Sequence, residues 1–352
     1  MTGPAPVPAK EILFHVGLPK TGTTTIQNFL MKHSDGKMAS AWWYPYDATL
    51  FGMNIPAGKR LGTIPQVDAL DHFYNVIRLP SVRSSIDWDA VVQQFLDAPD
   101  CRRMIISHES QSGSAYRLKA DKFVDLAART NLRFLAYLRE PVSWLTSLNS
   151  QNAHSGAVRD LDVSFPTIRR YLKGGYMEML APFTTYGQLD LRDYDSLRRR
   201  GTLLQDFLSA VDSEHLYDAA ETHRNANIKK SGRDTVLILR AVSNVIGTSA
   251  EARPFLRKII RALEKTDDSV RAILPAGTIA AIHDRWAEDR AVLARDHGLS
   301  IPDPAPPETG PDHLSVSPDM AQRVRDSAGP RLDPDDRAIL DKALRIAVTG
   351  YA

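Results

Sequence analysis

The stretch EILFHVGLPKTGTTTIQNFL, from Glu11 to Leu30, constrains the fold more than any other part of the chain. Residues 11–17 are short, apolar and bounded by glycine and proline, which is the pattern of a buried strand. Ile26, Phe29 and Leu30 then recur at helical spacing. Between them lies a loop rich in glycine and threonine. Strand, glycine loop and helix in that order open a nucleotide-binding α/β unit. Glycines let backbone N–H groups converge on an anion, and the N-terminus of the following helix adds its positive dipole.

Gly17 and Gly22 stand five apart, close to the G-x-x-x-x-G-K-[ST] pattern of ATP-binding loops. That pattern puts lysine directly after the second glycine, where this chain has Thr23. The lysine here is Lys20, inside the loop. An ATPase or kinase of that type is therefore disfavoured, although it stays open as the second enzyme reading. Thr21, Thr23 and Thr24 offer hydroxyl donors, and Lys20 offers a point charge.

Further along, strand and helix patterns alternate. RMIIS (residues 103–107) reads as a second apolar strand ending in His108 and Glu109. LRFLAYL (132–138) reads as a third, followed by Arg139, Glu140, Pro141 and a helix through Trp144, Leu145 and Leu148. Helices are expected over 86–96 and 119–130. The predicted fold class is α/β, a P-loop-like parallel sheet flanked by helices. Beyond residue 201 the pattern is helical, over 202–211, 235–246, 255–263, 278–298 and 334–347. The expected organisation is a disordered lead at 1–10, an α/β domain over 11–245 and a helical C-terminal extension over 246–352. Within the α/β domain, 40–85 is an irregular, aromatic-rich insertion that could border an acceptor.

At Leu18-Pro19-Lys20-Thr21-Gly22-Thr23-Thr24 the chain resembles the sulfotransferase superfamily, whose 5′-phosphosulfate loop carries a P-K-[ST]-G-[ST] core after the first strand. The resemblance is closest to bacterial and carbohydrate-type members. It implies that Lys20 contacts the 5′-phosphate and the bridging oxygen, and that Pro19, Thr21, Gly22, Thr23 and Thr24 complete the loop. The donor of such enzymes is 3′-phosphoadenosine-5′-phosphosulfate (PAPS). The family holds its 3′-phosphate on an R-x-P step with a serine eight residues after the arginine, and Arg139, Pro141 and Ser147 stand at that spacing. A guanidinium can grip a phosphate bidentately, and a hydroxyl adds a donor. A later basic loop closes over the nucleotide in the family. Lys229, Lys230, Gly232 and Arg233, in RNANIKKSGRD (224–234), are the candidates, with a solvated basic turn as the competing reading.

Sulfuryl transfer, like phosphoryl transfer, rests on positioning and charge stabilisation. The acceptor hydroxyl, or amine, must also lose its proton to a base. Glu109 is favoured for that role by its resemblance to the glutamate of heparan-type enzymes, and His108 is the alternative. Adjacent strand residues point to opposite faces, so one of the two enters the site. The acceptor class is a small molecule or glycan, such as a saccharide or glycolipid. A third reading is a nucleotide-binding module without catalysis.

Charge and cysteine content narrow the rest. A net charge of +2 gives no global argument for nucleic acid or anionic membranes. The single cysteine, Cys101, rules out an internal disulfide, and the histidines show no metal-ligand spacing. No metal is expected, and no apolar run is long enough to span a membrane. The expected location is the cytoplasm. Nothing in the sequence sets the oligomeric state.

Overall fold

The computed structural model describes residues 10–33, 42–44, 88–109, 120–156, 166–218, 232–247, 249–266, 274–301 and 314–350. The chain is an α/β protein with five parallel strands: β1 (Glu11–Gly17), β2 (Trp42–Trp43), β3 (Arg103–Glu109), β4 (Asn131–Leu138) and β5 (Gln188–Asp193). Their order across the sheet is β2-β3-β1-β4-β5. The helices of the chain, in order, are α1 (Thr23–His33), α2 (Trp88–Asp97), α3 (Ala120–Arg129), α4 (Pro141–His154), α5 (Pro166–Thr184), α6 (Tyr194–Arg200), α7 (Leu203–Ala210), α8 (Arg233–Ile246), α9 (Ser249–Thr266), α10 (Ala276–His297), α11 (Pro318–Ala328) and α12 (Pro334–Thr349).

The chain divides into two compact units. The first comprises Met1–Arg139, Tyr176–Asn225 and Val292–Ser300; the second comprises Glu140–Gly175, Ala226–Ala291 and Ile301–Ala352. This division differs from the expected boundary at 245/246. The reason is packing: α8 is buried along its whole length from Asp234 to Ser243, and α4, α9 and α12 all pack on it. A stretch buried on every face needs neighbours on every side, so α4 and α8 group with the C-terminal helices.

In the first unit, β1 is the central strand. It pairs with β3 from Glu11↔Arg103 to Gly17↔Glu109, and with β4 from Glu11↔Asn131 to His15↔Leu135. A strand covered on both faces has apolar residues throughout, and Ile12, Leu13, Phe14 and Val16 are all fully buried. Phe14 stacks on Phe134 of β4 with ring centres 5.3 Å apart and meets Phe123 of α3 at 5.5 Å. Phe183 of α5 closes on Phe134 at 5.1 Å. The other face carries His15, whose ring meets Tyr137 of β4 at 5.6 Å and Phe207 of α7 at 5.7 Å. Helices thus cover both faces. Two outer strands escape the sequence patterns. β2 is only two residues long, and β5 (QLDLRD), at the sheet edge, carries charge at Asp190, Arg192 and Asp193. Residues 45–87, the bulk of the expected irregular insertion, lie outside the described residues, as do the lead at 1–9 and residues 302–313.

In the second unit, α5 is broken at Gly175 (φ 63°, ψ −163°). A Cβ there would collide with Oδ1 of Asp289, a buried carboxylate on α10. Arg285, one turn earlier on α10, donates from Nη2 to the Gly174 carbonyl at 3.1 Å and reaches Asp289 Oδ1 at 3.4 Å. Burial, reinforced by the Asp289 carboxylate, pushes the Tyr171 phenol above its ordinary range. On the far side of this unit, Arg325 of α11 pairs with Asp341 of α12 at 2.8 Å, and Lys258 of α9 pairs with Asp336 of α12.

Among the described residues no helix is long and apolar enough to cross a membrane. Cys101 is buried, its Sγ 3.5 Å from the Arg103 carbonyl, and burial raises its thiol pKa.

Candidate active site

In an open parallel sheet, ligands bind outside the carboxyl ends of the strands, where the strand order reverses. Here that point is β1, from which the chain has built β3 on one side and β4 on the other. Three sequence-predicted elements gather there: the loop after Gly17, the His108–Glu109 end of β3, and Arg139 directly after β4.

The loop is folded by its own residues. Thr21 is fully buried, and its hydroxyl donates to the Leu18 carbonyl at 2.6 Å. That hydroxyl closes the turn, so the Thr21 side chain has a structural role in the loop. Lys20 has φ 68° and Gly22 φ 83°, while Thr21 between them keeps negative φ. Alternation of this kind is the backbone pattern by which successive N–H groups can turn to one side, as in the nests that bind anions. A lysine in the left-handed region is uncommon and costs of order 1–2 kcal/mol. Among the described non-glycine residues only Asp212 shares that conformation.

Gly22 starts α1. Its carbonyl accepts from Thr25 N–H at 2.9 Å and Ile26 N–H at 3.3 Å. The N–H groups of the first helical residues have no acceptor within the helix, and the first turn of α1 contains no acidic side chain to neutralise them. α4 is the contrast: there the Glu140 carboxylate caps Val142 and Ser143 N–H, both at 2.7 Å. Thr24 is exposed and Lys20 half-buried. Thr23 is 1% exposed, and its Oγ1 makes no hydrogen bond among the described residues. A buried hydroxyl left without a partner carries a desolvation cost of about 1–3 kcal/mol, which a bound acceptor oxygen would remove.

Arg139 is buried. Its Nε stands 3.5 Å from Asp195 Oδ1, and its Cζ lies 5.8 Å from the ring centre of Tyr194. The Tyr176 hydroxyl fixes the backbone by donating to the Arg139 carbonyl at 2.7 Å. Tyr194 also borders the loop: a Cβ on Gly22 would stand 3.2 Å from its Cε2 and would collide with Leu203 Cδ2. Tyr194 therefore touches both the loop and Arg139. Sequence reasoning missed it. The only signal was a tyrosine opening a helix after the edge strand β5, with Asp193 as N-cap accepting from Ser196 N–H at 3.1 Å.

Beneath the loop, Ser107 joins three elements. Its hydroxyl meets His15 Nδ1 at 2.8 Å, and its carbonyl accepts from Gln27 Nε2 of α1 at 3.0 Å. Burial lowers the His15 pKa to about 3, so the ring is neutral across the physiological range. Its Nε2 is buried without a hydrogen-bond partner. This is a packed strand histidine, held by Ser107 and two aromatic rings. His108 and Glu109, next along β3, pair in register with Val16 and Gly17; their side chains lie outside the described residues.

The other predicted residues belong to the second unit. Ser147 is half-buried on the second turn of α4. Gly232 precedes α8, and the Arg233 Nε is paired with Asp234 Oδ1 at 3.0 Å. Lys229 and Lys230 lie outside the described residues. Among the described residues no group of three or more His, Cys, Asp or Glu side chains is arranged to hold a metal. Comparison with protein-family models, with curated proteins and with solved structures finds no match for this chain.

Proposed function

We propose that the chain is a sulfotransferase that moves a sulfuryl group from PAPS to a hydroxyl or amine of an acceptor. The observation that carries this reading is the Lys20–Thr23 turn, in which Lys20 and Gly22 take the left-handed conformation and the buried Thr23 hydroxyl has no hydrogen-bond partner among the described residues. A second cation, Arg139, stands at the end of the neighbouring strand, bordered by a tyrosine that also touches the loop. A donor with phosphates at two positions calls for two such cationic centres. The P-loop-like character of the sheet belongs to this proposal, and the lysine within the loop separates it from ATP-dependent enzymes.

The donor supplies an activated sulfuryl group. The acceptor oxygen bonds to sulfur as the sulfur–oxygen bond to the 5′-phosphate breaks, and the acceptor proton passes to a base on the protein. Lys20 and the loop N–H groups meet the charge that develops on the departing phosphate. Arg139 holds the 3′-phosphate, with Tyr194 limiting the positions its guanidinium can take. Ser147 and the 229–233 segment enter this reading on sequence spacing alone. Glu109 is the preferred base and His108 the alternative.

The test is transfer from ³⁵S-labelled PAPS to a panel of glycan, phenolic and lipid acceptors, with calorimetry of 3′-phosphoadenosine-5′-phosphate (PAP). Glu109→Gln abolishes turnover and leaves PAP affinity intact if Glu109 is the base; His108→Gln does so if the histidine is. A chain that fails to bind PAP but binds and turns over ATP with magnesium is not a sulfotransferase.

A further inference from the structure

One side chain joins the helix that follows the phosphate loop to the strand that carries the candidate base. Gln27, half-buried on the second turn of α1, donates from Nε2 to the Ser107 carbonyl of β3 at 3.0 Å. The bond links segments 80 residues apart in sequence. Gln27 follows Thr23 of the loop by four residues and so shares its side of α1.

The carboxyl end of β3 has few other ties. β2 pairs with β3 only at Arg103 and Met104, so among the described residues that end has a strand on one side alone, β1. Ser107 is fully buried, and its hydroxyl meets His15 Nδ1 of β1 at 2.8 Å. Ser107 is thus held twice, by β1 through its side chain and by α1 through its carbonyl. The peptide that begins with this carbonyl ends at His108. Because a peptide is planar, fixing its oxygen also fixes the nitrogen and Cα of His108, and Glu109 follows one residue on.

We infer that Gln27 is a positioning residue for sulfuryl transfer, setting the span between the base on β3 and the phosphate loop at the start of α1. This inference rests on the sulfotransferase reading of the loop. As the acceptor oxygen bonds to sulfur, its proton passes to the base. The electron pair of the breaking sulfur–oxygen bond stays with the 5′-phosphate. In an in-line displacement the attacking and leaving oxygens stand on opposite sides of sulfur. The base therefore serves one end of that line and the loop serves the other. A bond from α1 to the residue before the candidate bases fixes the separation of the two ends. The amide suits this task, because it donates to a carbonyl without adding charge beside an anion site. Gln27 acts through Ser107, and it enters no proton transfer itself.

The test follows release of ³⁵S-sulfate from labelled PAPS with water as the acceptor, together with calorimetry of PAP. Gln27→Met keeps the length of the side chain and loses the donor. It is expected to lower kcat about ten- to hundredfold, the size of effect that a misplacement of about 1 Å produces. KM for PAPS and PAP affinity stay within about twofold of wild type, because ground-state binding is untouched. Gln27→Glu is isosteric and gives the same result should the Met variant fold poorly, since a carboxylate cannot donate. In the background that lacks the base, Glu109→Gln or His108→Gln, Gln27→Met slows the residual turnover no further, because no base remains to be placed. The inference falls if Gln27→Met turns over PAPS as wild type does, or if its kcat holds while KM rises. It falls equally if PAP affinity drops along with kcat, or if the loss multiplies with that of the base variant. A wild type that binds PAP but releases no sulfate from PAPS overturns it as well. Failure of the wild type to bind PAP, by contrast, defeats the reading of the loop.

Discussion

Tyr194 and Arg139 are coupled through the tyrosine ring, whose centre lies 5.8 Å from the guanidinium carbon. The same ring borders Gly22, so one side chain spaces the two cationic centres of the site. A guanidinium over an aromatic face gains about 0.5–2 kcal/mol. Tyr194→Phe is therefore expected to bind PAP as wild type does. Tyr194→Ala should lose between a few-fold and about thirty-fold in affinity, the same energy expressed as a ratio. Equal affinity for the Ala variant by calorimetry would show that Arg139 keeps its position unaided.

Thr23 sets stability against binding. Its hydroxyl is buried without a partner, so Thr23→Val removes an unpaid desolvation cost. The Val variant should be as stable as wild type or up to about 1 kcal/mol more stable in urea titrations. Its PAP affinity should drop by about tenfold, since the hydroxyl then has nothing to give an incoming phosphate oxygen. A loss of stability with unchanged affinity would place the hydroxyl in the folding of the loop instead.

The two left-handed residues of the loop respond oppositely to substitution. Lys20→Gly relieves an L-residue at φ 68°, so thermal stability should hold or rise while transfer from PAPS collapses. Gly22→Ala introduces that same strain at φ 83° and drives a methyl into Leu203. It should cost about 1–3 kcal/mol. Gly22→Ala with Leu203→Ala relieves the collision but keeps the torsional penalty, so a full recovery in the double variant would refute the torsional part.

His15 makes the fold acid-labile. Its pKa is 6.5 in the unfolded chain and about 3 in the folded one. The unfolded state therefore takes up the proton first as pH falls. The contribution is fully present above pH 6.5 and is lost between pH 6.5 and about 3, with a slope approaching about 1.4 kcal/mol per pH unit. In urea titrations at a series of pH values, His15→Phe should lose less stability than wild type between pH 6.5 and 4. Parallel curves would mean that His15 is already neutral in the unfolded chain or solvated in the folded one.

The sheet's inner strands were legible because central parallel strands are apolar on both faces. EILFHVG, RMIIS and LRFLAYL announce themselves, and the positions of Lys20, Gly22 and Arg139 follow from where those runs stop. β5 was not legible, since QLDLRD at a sheet edge looks like a polar segment. Tyr194 was lost with it: its place beside Arg139 depends on β5 pairing with β4 from Arg133↔Gln188 to Leu138↔Asp193, which no local pattern reveals. The Thr21 hydroxyl shows the converse limit. Composition marked it as a ligand donor, while backbone geometry assigns it to the Leu18 carbonyl. The two-unit division was hidden because α8 reads as an ordinary helix until its full burial is known.

The central position of β1 also dictates when the site can come into being. β1 and its loop are synthesised before both strands that flank β1, which follow far later, at 103–109 and 131–138. Contacts between such distant segments form slowly and leave apolar edges waiting during synthesis. β1, whose Ile12, Leu13, Phe14 and Val16 are all buried in the finished sheet, therefore has both of its neighbours only once β4 has been made. Only then is the glycine turn that follows β1 flanked by both neighbouring strands, with the edge strand β5 still to be added.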